Sequence, residues 1–302
     1  MAAVRTGFFT TDDGVRLYYE DTGEGVPIIF LHEFAGDYRS WEPQVRYFSH
    51  RFRPITFNAR GYPPSDVPEE SERYGQFLAV DDVAALMRHL GVDRAHVVGF
   101  SMGSFTALFL GLRYPALVRS VVPVGCGYGA AKEWAEVHKQ NFLELADALL
   151  DEKSADPASE RYTSGATRVQ FAEKDPRGWR EFAERFRGLS RLGRAMTLRH
   201  MIAARPSIYE FEAEMRKMTT PVLIIAGDED EQTLIPGVFM KNTIPSAGLC
   251  VLPRIGHTPN LEEPGLFNMM LHDFVTACEL GRWRPRDSRT FETRNYLAPT
   301  TD

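Results

Sequence analysis

The stretch HVVGFSMGSFTAL, residues 96–108, decides the fold that we predict for this chain. Its first half is apolar and β-branched, its second half suits a helix, and Gly-Phe-Ser-Met-Gly lies between them. A strand that runs directly into a helix needs a tight turn, where side chains two residues either side of the serine would clash. Gly99 and Gly103 relieve that clash, so we predict that Ser101 is a nucleophile on a strained turn. The alternative is that small residues only let a helix pack close to a sheet.

Composition limits the classes of protein to consider. The chain has 302 residues, of which 43% are hydrophobic and 25% charged, as expected for a globular protein with one large α/β domain or two small ones. The net charge of -6 and the lack of a Lys/Arg stripe argue against nucleic-acid binding. No apolar run approaches the roughly 20 residues that span a bilayer, and no secretory signal is visible. Three scattered cysteines predict neither a disulfide framework nor a metal site. We therefore expect a cytoplasmic protein whose cysteines are reduced.

Short apolar segments alternate with amphipathic ones along the chain. After a predicted hairpin that turns at Asp13-Gly14, the predicted strands are VPIIFLH, RPITFNARG, AHVVGF, SVVPVG, TPVLIIAG and GLCVLPRIG. One intervening helix, Tyr74 to Leu90, has apolar residues at helical spacing, which are Phe77, Val80, Val83, Ala84 and Met87. Strands that alternate with helices indicate an α/β fold with a mostly parallel, doubly wound sheet.

Residues 129–215 interrupt this alternation. They contain no strand-like run, and Leu, Phe and Trp recur at helical intervals. We predict a helical cap here, inserted between core segments 1–128 and 216–280, and acting as a lid over a pocket. A second helical layer unrelated to any site is the alternative. The polar, Arg-rich tail 281–302 is interpreted as partly disordered or as a contact with a neighbouring subunit, which leaves a homo-oligomer open.

A serine nucleophile needs a base and an acid, because its hydroxyl is unreactive at neutral pH. His257, in PRIGHTPNLEEP, follows the last predicted strand and so lies at the same sheet edge as Ser101. The acid is expected in GDEDEQTLIP, after TPVLIIAG, which gives the chain order serine, acid, histidine. We favour Asp230, which lies far enough beyond the strand to turn back toward His257. Asp228 is the alternative.

The remaining predicted site residues surround the reacting carbonyl. An oxyanion needs preorganised N–H donors. We expect the amide of Met102, at the start of the helix after the serine, and the amide of Phe34 in LHEFAGD, with Glu33 as the alternative donor. The substrate-pocket candidates are His32, Glu33, Phe100 and Trp134.

With these pieces in place, the chain resembles the α/β-hydrolase superfamily in its serine-nucleophile branch. The resemblance covers most of residues 8–280 and rests on LHEFAGDYRSW, FNARGYPPSD, GFSMGS, GDEDEQTLIP and GHTPNLEEP. It implies a hydrolase with a helical lid, no cofactor and no metal. Carboxylesterases, enol-lactonases, C–C bond hydrolases and perhydrolases are the most similar subgroups. Ser101 in place of Asp argues against haloalkane dehalogenases and epoxide hydrolases.

The expected reaction is cleavage of an ester or lactone of a small, partly apolar substrate through an acyl-enzyme. A C–C bond hydrolase of a diketone-type substrate and a ligand-binding receptor are the alternatives. Glu33 departs from the family pattern, which has Gly after His32, and a carboxylate there would repel an oxyanion if it pointed inward. Glu33 is therefore expected to face away or to contact a substrate group. Asn58 also departs from the pattern, which commonly has Asp.

Overall fold

Eight strands form a single sheet in the computed structural model, which describes residues 4–130, 132–151, 153 and 156–287. The strands are β1 (Arg5–Thr10), β2 (Arg16–Asp21), β3 (Pro27–Leu31), β4 (Arg53–Phe57), β5 (Ala95–Phe100), β6 (Val118–Val124), β7 (Val222–Gly227) and β8 (Ala247–Leu252). Their order is β1-β2-β4-β3-β5-β6-β7-β8. Strand β2 runs antiparallel to β1 and β4, and every pair from β4 to β8 is parallel. The predicted mostly parallel sheet is confirmed.

The α-helices connect the strands and cover both faces of the sheet. They are α1 (Glu42–Phe48), α2 (Gln76–His89), α3 (Met102–Arg113), α4 (Lys132–Leu150), α5 (Pro157–Ser164), α6 (Val169–Lys174), α7 (Pro176–Arg187), α8 (Arg191–Met196), α9 (Glu212–Met215), α10 (Glu231–Thr243), α11 (Pro259–Glu262) and α12 (Pro264–Glu279). Within the part of the chain that the structure describes, no helix is long and apolar enough to cross a membrane.

Alternate residues of the central strands enter two different cores. In β3, Ile29 and Leu31 join a core with helices α2, α3 and α10, whereas Ile28 and Phe30 join a core with α1 and α12. Because both faces are covered, these strands are apolar throughout, which is why their sequences show no alternation of polar and apolar residues. The parallel strands all end at one edge, and the loops that follow them meet there.

The helical cap lies between β6 and β7, and none of its described residues forms a strand. It consists of α4 to α9, a π-helical segment Thr197–Ile202 and shorter helical turns. Its apolar interior is continuous with that of the α/β core, because Phe142, Phe182 and Phe186 share one buried cluster with Phe34 and Met102. The cap therefore rests on the loop that follows β3 and on the start of α3. Its boundaries at residues 129 and 215 stay a prediction.

The first residues of the predicted tail pack on the sheet. The indole of Trp283 contacts Phe274 at a ring-centroid distance of 4.6 Å and donates a hydrogen bond of 2.7 Å to the Ser246 carbonyl. Residues 288–302 lie outside the described residues, and with them most of the segment that we interpreted as a disordered or subunit-contacting tail.

A buried histidine near the start of β5, at the end of the sheet opposite Ser101, makes stability depend on pH. His96 is 0% exposed, with Nδ1 2.7 Å from the Ser120 hydroxyl and Nε2 3.2 Å from the Glu279 carboxylate. Burial lowers the pKa of His96 to about 4, outweighing the attraction of Glu279. The unfolded chain therefore binds this proton first as the pH falls. We expect the free energy of unfolding to fall between pH 6.5 and 4, by about 3 kcal/mol.

Urea unfolding at several pH values between 7 and 4 measures this effect. The variant His96→Asn, which has no titrating side chain at this position, should show a clearly smaller loss of stability over the same range. His89→Asn is the control, because His89 lies exposed at the end of α2. A pH dependence that is identical in wild type and His96→Asn would contradict the prediction.

Candidate active site

Ser101 occupies the turn between β5 and α3 in a conformation that only a few non-glycine residues adopt. Its φ is 51° and its ψ is -108°. The backbone N–H of Ser101 donates to the Val124 carbonyl at 2.8 Å, and the Ser104 hydroxyl donates to the Ser101 carbonyl at 2.5 Å. Backbone strain of this kind costs of order 1–3 kcal/mol and persists where the surroundings enforce it, often at functional sites.

The two glycines that flank the serine are required by backbone contacts. A Cβ on Gly99 would lie 2.0 Å from the Gly103 carbonyl oxygen, and a Cβ on Gly103 would lie 2.4 Å from the Leu31 carbonyl oxygen. The helix therefore starts directly against β5 and β3. The close packing of helix on sheet is thus confirmed and goes together with the strained turn of Ser101, whereas the nucleophile role of Ser101 stays a prediction.

His257 and Asp230 form a hydrogen-bonded pair at the same edge of the sheet. His257 Nδ1 lies 2.6 Å from Asp230 Oδ2, and the Thr233 hydroxyl donates to the same oxygen at 2.9 Å. Asp230 is 0% exposed. Burial raises its pKa, but the charge of His257 and the hydrogen bonds from His257 and Thr233 outweigh burial and hold the pKa below its usual range. Asp230 is thus held as a carboxylate beside His257, whereas Asp228 is exposed and accepts a hydrogen bond from the Ile255 N–H.

The His257 ring packs against residues next to the Ser101 turn. Its centroid is 5.0 Å from that of Phe100, which directly precedes Ser101. A Cβ on Gly125, the residue after β6, would lie 3.1 Å from His257 Cε1. Phe100 was predicted to line the substrate pocket. The structure instead places it, 1% exposed, against the histidine ring.

Two contacts that hold the histidine loop, residues 253–258, were not predicted. The Glu262 carboxylate accepts hydrogen bonds of 2.9 Å from the N–H groups of Gly256 and Thr258, which flank His257 on both sides. The N–H of His257 itself donates to the Thr167 carbonyl in the cap, at 2.9 Å. The sequence GHTPNLEEP could have indicated the first contact, because two glutamates follow the histidine closely. The second depends on the cap and has no signal in the sequence.

Both predicted oxyanion residues are buried and are joined by one tyrosine. The Tyr62 hydroxyl donates to the Phe34 carbonyl at 2.9 Å and lies 3.9 Å from the Met102 sulfur. Tyr62 is 0% exposed, so this bond orients the peptide that follows Phe34 from inside the protein. Phe34 lies in the oxyanion loop, residues 32–37, and Met102 is the first residue of α3. Their N–H groups stay our predicted oxyanion donors.

Two of the pocket candidates need correction. Both ring nitrogens of His32 are used by the backbone, since Nε2 accepts from the Ala59 N–H at 3.0 Å and Nδ1 therefore donates to the Glu33 carbonyl at 2.7 Å. Burial lowers the pKa of His32, which keeps the ring neutral. His32 fixes the oxyanion loop rather than offering a polar group to a substrate. Trp134, at the start of α4, is 56% exposed and so lies outside the buried cluster around Phe34.

The chain is similar over most of its length to known hydrolases. A family model for the alpha/beta hydrolase fold matches residues 26–143. 3-Oxoadipate enol-lactonase 1 of Acinetobacter baylyi is 27% identical over 282 residues, which cover 92% of this chain and 100% of that enzyme. The structure of Est816, an N-acyl homoserine lactone degrading enzyme, matches with a TM-score of 0.72 and 27% identity, covering 89% of this chain and 100% of the other. The chain belongs to the α/β-hydrolase superfamily. A thermophilic esterase from Thermogutta terrifontis shares the fold, with a TM-score of 0.78 and 22% identity over 91% of this chain and 99% of its own.

This α/β-hydrolase differs from the family pattern at Glu33, and the structure shows where that side chain lies. Glu33 does not face the solvent, because it is 1% exposed and forms an ion pair with Arg168 of the cap, itself 2% exposed. The guanidinium of Arg168 also lies over the Phe182 ring, 5.0 Å from its centroid. No motif in the sequence pointed to Arg168. The negative charge beside the oxyanion loop is thus balanced by a cap residue.

A cavity of about 240 Å³ opens between the oxyanion loop of the hydrolase core and cap helix α7. Its apolar lining comes from both sides and includes Ala35, Phe171, Phe182, Leu189 and Leu261. Charged side chains, among them Arg39, Asp175 and Arg185, surround it. The cavity provides an apolar space directly next to the loop that carries Phe34.

Proposed function

We propose that the protein is a serine hydrolase that cleaves an ester or lactone of a small, partly apolar substrate through an acyl-enzyme. The observation that carries this proposal is that Ser101 lies in a strained turn directly after Phe100, whose ring packs against the ring of His257. His257 is in turn hydrogen-bonded to Asp230. The curated relative with 27% identity is an enol-lactonase, and the solved structure with the same identity is an enzyme that degrades N-acyl homoserine lactones, so both support a lactone as substrate.

In the first step, His257 Nε2 takes the proton of the Ser101 hydroxyl as Oγ forms a bond with the carbonyl carbon. The carbonyl π electrons move to oxygen, and the N–H groups of Phe34 and Met102 stabilise the oxyanion that forms. Asp230 holds the Nδ1–H of His257 and stabilises the imidazolium. Collapse of the tetrahedral intermediate breaks the bond between carbon and the leaving alkoxide oxygen, which takes the proton from His257.

In the second step, His257 takes a proton from water, and the hydroxide oxygen forms a bond with the acyl carbon. The intermediate then breaks the bond to Ser101 Oγ, which recovers its proton from His257, and the acid leaves. For a lactone, the leaving alcohol stays attached to the acyl chain until this hydrolysis. His257 and Asp230 have the same roles in both steps, whereas Ser101 is the nucleophile in the first and the leaving group in the second.

We also propose that the helical cap is the lid of this site. The cap touches the oxyanion loop, since the Tyr162 and Phe186 rings lie 4.9 and 5.7 Å from the Phe34 ring. It also touches the histidine loop through the Thr167 carbonyl. Closing an apolar cap over a reacting carbonyl excludes water and strengthens the hydrogen bonds to the oxyanion. The apolar cluster shared by cap and core supports a substrate that is itself partly apolar.

Labelling with diisopropyl fluorophosphate tests the nucleophile. Ser101 Oγ would form a bond with phosphorus and displace fluoride, and the serine proton would pass to His257. We expect one label per chain, on the peptide that contains Ser101, and no label in Ser101→Ala or in wild type unfolded in urea. Labelling elsewhere, or equal labelling of native and unfolded protein, would contradict the proposal.

A further inference from the structure

The ion pair between Glu33 and Arg168 joins the oxyanion loop to the cap inside the protein. One terminal guanidinium nitrogen, Nη2, donates to Glu33 Oε2. Two further polar atoms, Glu33 Oε1 and Arg168 Nη1, are buried and have no hydrogen-bond partner among the residues that the structure describes. A buried polar atom without a partner costs about 1–3 kcal/mol, and more when it belongs to a charged group. The pair therefore holds one unused acceptor and one unused donor.

The position of the pair is next to the reacting groups. Glu33 precedes Phe34, our predicted oxyanion donor, and Arg168 follows Thr167, whose carbonyl holds the N–H of His257. The positive charge of Arg168 is close enough to contribute to the lowered pKa of Asp230. The pair thus joins the oxyanion loop to the cap segment that contacts the histidine loop.

The pair also adjoins the apolar cavity. The Phe182 ring lies under the Arg168 guanidinium and lines the cavity. Gly36 lines it too, and a Cβ on Gly36 would lie 3.3 Å from Glu33 Cγ. Glu33 and Arg168 do not line the cavity themselves, but two of its lining residues, Gly36 and Phe182, are in contact with them.

We propose that Glu33 and Arg168 bind a neutral polar group of the substrate, a hydroxyl or a secondary amide, next to the ester or lactone carbonyl. Such a group donates its O–H or N–H to Glu33 Oε1 and accepts from Arg168 Nη1, so it satisfies both unpartnered atoms at once. This inference rests on the proposed function, because it names the substrate class for that site.

The charges of the pair exclude the other classes of substituent. An arginine alone would select a carboxylate. Here Glu33 already neutralises Arg168, and a second carboxylate would face both Glu33 and the nearby Asp230. An alkyl group would leave both polar atoms unpartnered. Sites built to hydrogen-bond a substrate group discriminate strongly against analogues that lack it, because their own polar atoms then stay buried and unpaired.

Binding to the Ser101→Ala protein tests this without any turnover. Four γ-butyrolactones with methyl, hydroxyl, acetamido or carboxylate at the α-carbon are titrated by calorimetry. We expect the hydroxyl or acetamido lactone to bind about tenfold or more tightly than the methyl lactone, and the carboxylate to bind more weakly. In Ser101→Ala/Glu33→Gln, the affinity for carboxylate relative to methyl should rise about tenfold or more. The control is Ser101→Ala/Glu212→Gln, since Glu212 pairs with Arg216 on the surface.

The first comparison uses the intact pair, so it stays decisive even if Glu33→Gln impairs folding. Equal affinities for hydroxyl, acetamido and methyl lactones would overturn the inference and leave the pair as a bridge between cap and core with water on its unpartnered atoms. No measurable binding of any of the four would overturn it as well. If Ser101→Ala hydrolyses p-nitrophenyl acetate as fast as wild type, the proposed function fails, while the order of affinities still decides the polar site.

Discussion

Ser101→Ala should lower kcat for p-nitrophenyl acetate and p-nitrophenyl butyrate by about 10⁴-fold or more and leave the fold intact. The reason is that the substitution removes the atom that forms the acyl-enzyme, whereas the oxyanion donors and the apolar cluster remain. The strained turn also becomes no more strained, because alanine and serine have the same constraint at φ 51°. Stopped-flow kinetics provide the measurement, since wild type should release a stoichiometric burst of p-nitrophenol and the variant none.

The control for this experiment is Ser71→Ala, which changes an exposed serine in the short helical turn Ser71–Arg73, well before Ser101 in the sequence. It should show the wild-type burst and rate. Thermal unfolding of both variants checks that the protein is folded. A Ser101→Ala protein that retains more than about a tenth of the wild-type rate would remove Ser101 from the mechanism.

Asp230→Asn should lower kcat on the order of 10³- to 10⁴-fold with little change in fold. In the wild type, the carboxylate accepts the Nδ1–H of His257 at 2.6 Å and so leaves Nε2 unprotonated and able to act as a base. An asparagine can present its NH₂ group to Nδ1, which would place the proton on Nε2 and abolish the base. The Thr233 hydroxyl can accept from that NH₂ group, because its own proton can go to the Asp230 carbonyl oxygen at 3.0 Å.

Asp228→Asn is the matched control, because Asp228 lies two residues earlier in the same turn and was the alternative acid. Its side chain is exposed and accepts the Ile255 N–H at 3.2 Å, a bond that the asparagine carbonyl oxygen can keep. We expect a rate within a few-fold of wild type. If Asp228→Asn loses more activity than Asp230→Asn, the acid has been assigned to the wrong residue.

The sequence predicted the sheet and the residues at its carboxyl edge because both depend on local signals. An apolar run bounded by turn residues predicts a buried strand, and a parallel strand carries its functional residues in the loop that follows. Ser101, Asp230 and His257 each follow such a strand, so their common location was predictable without any knowledge of packing. Gly99 and Gly103 were predictable for the same reason, because the clash that excludes larger side chains there arises within the five residues around Ser101.

Contacts between distant segments were not predictable. The helical spacing grouped Phe77 with the apolar residues of α2, but Phe77 is 39% exposed, whereas the charged Asp82 is buried. The periodicity of apolar residues cannot reveal that Asp82 forms an ion pair with Arg60, with 2.6 Å between Asp82 Oδ1 and Arg60 Nη2. Arg168 was missed for the same reason, because nothing near it in sequence indicates a carboxylate partner in the oxyanion loop.

The departure at Asn58 has a physical explanation that only the structure supplies. Its amide nitrogen donates to the Tyr62 and Pro63 carbonyls at 3.2 and 2.8 Å, and its amide oxygen accepts from the Tyr38 N–H at 2.7 Å. An aspartate could accept but could not donate to the two carbonyls. Asn58 therefore orients the segment that carries Tyr62, the residue whose hydroxyl holds the Phe34 peptide.

The insertion of the cap between β6 and β7 has a consequence for how the enzyme becomes active during folding. Ser101 precedes the insertion in the chain, and Asp230 and His257 follow it. In the proposed mechanism, Ser101 therefore gains its base only after β7 has aligned beside β6, across the whole inserted segment. Contacts over such sequence separations carry a large loop-closure entropy and form slowly. In refolding, the recovery of p-nitrophenyl ester hydrolysis should thus lag behind the recovery of the helical signal.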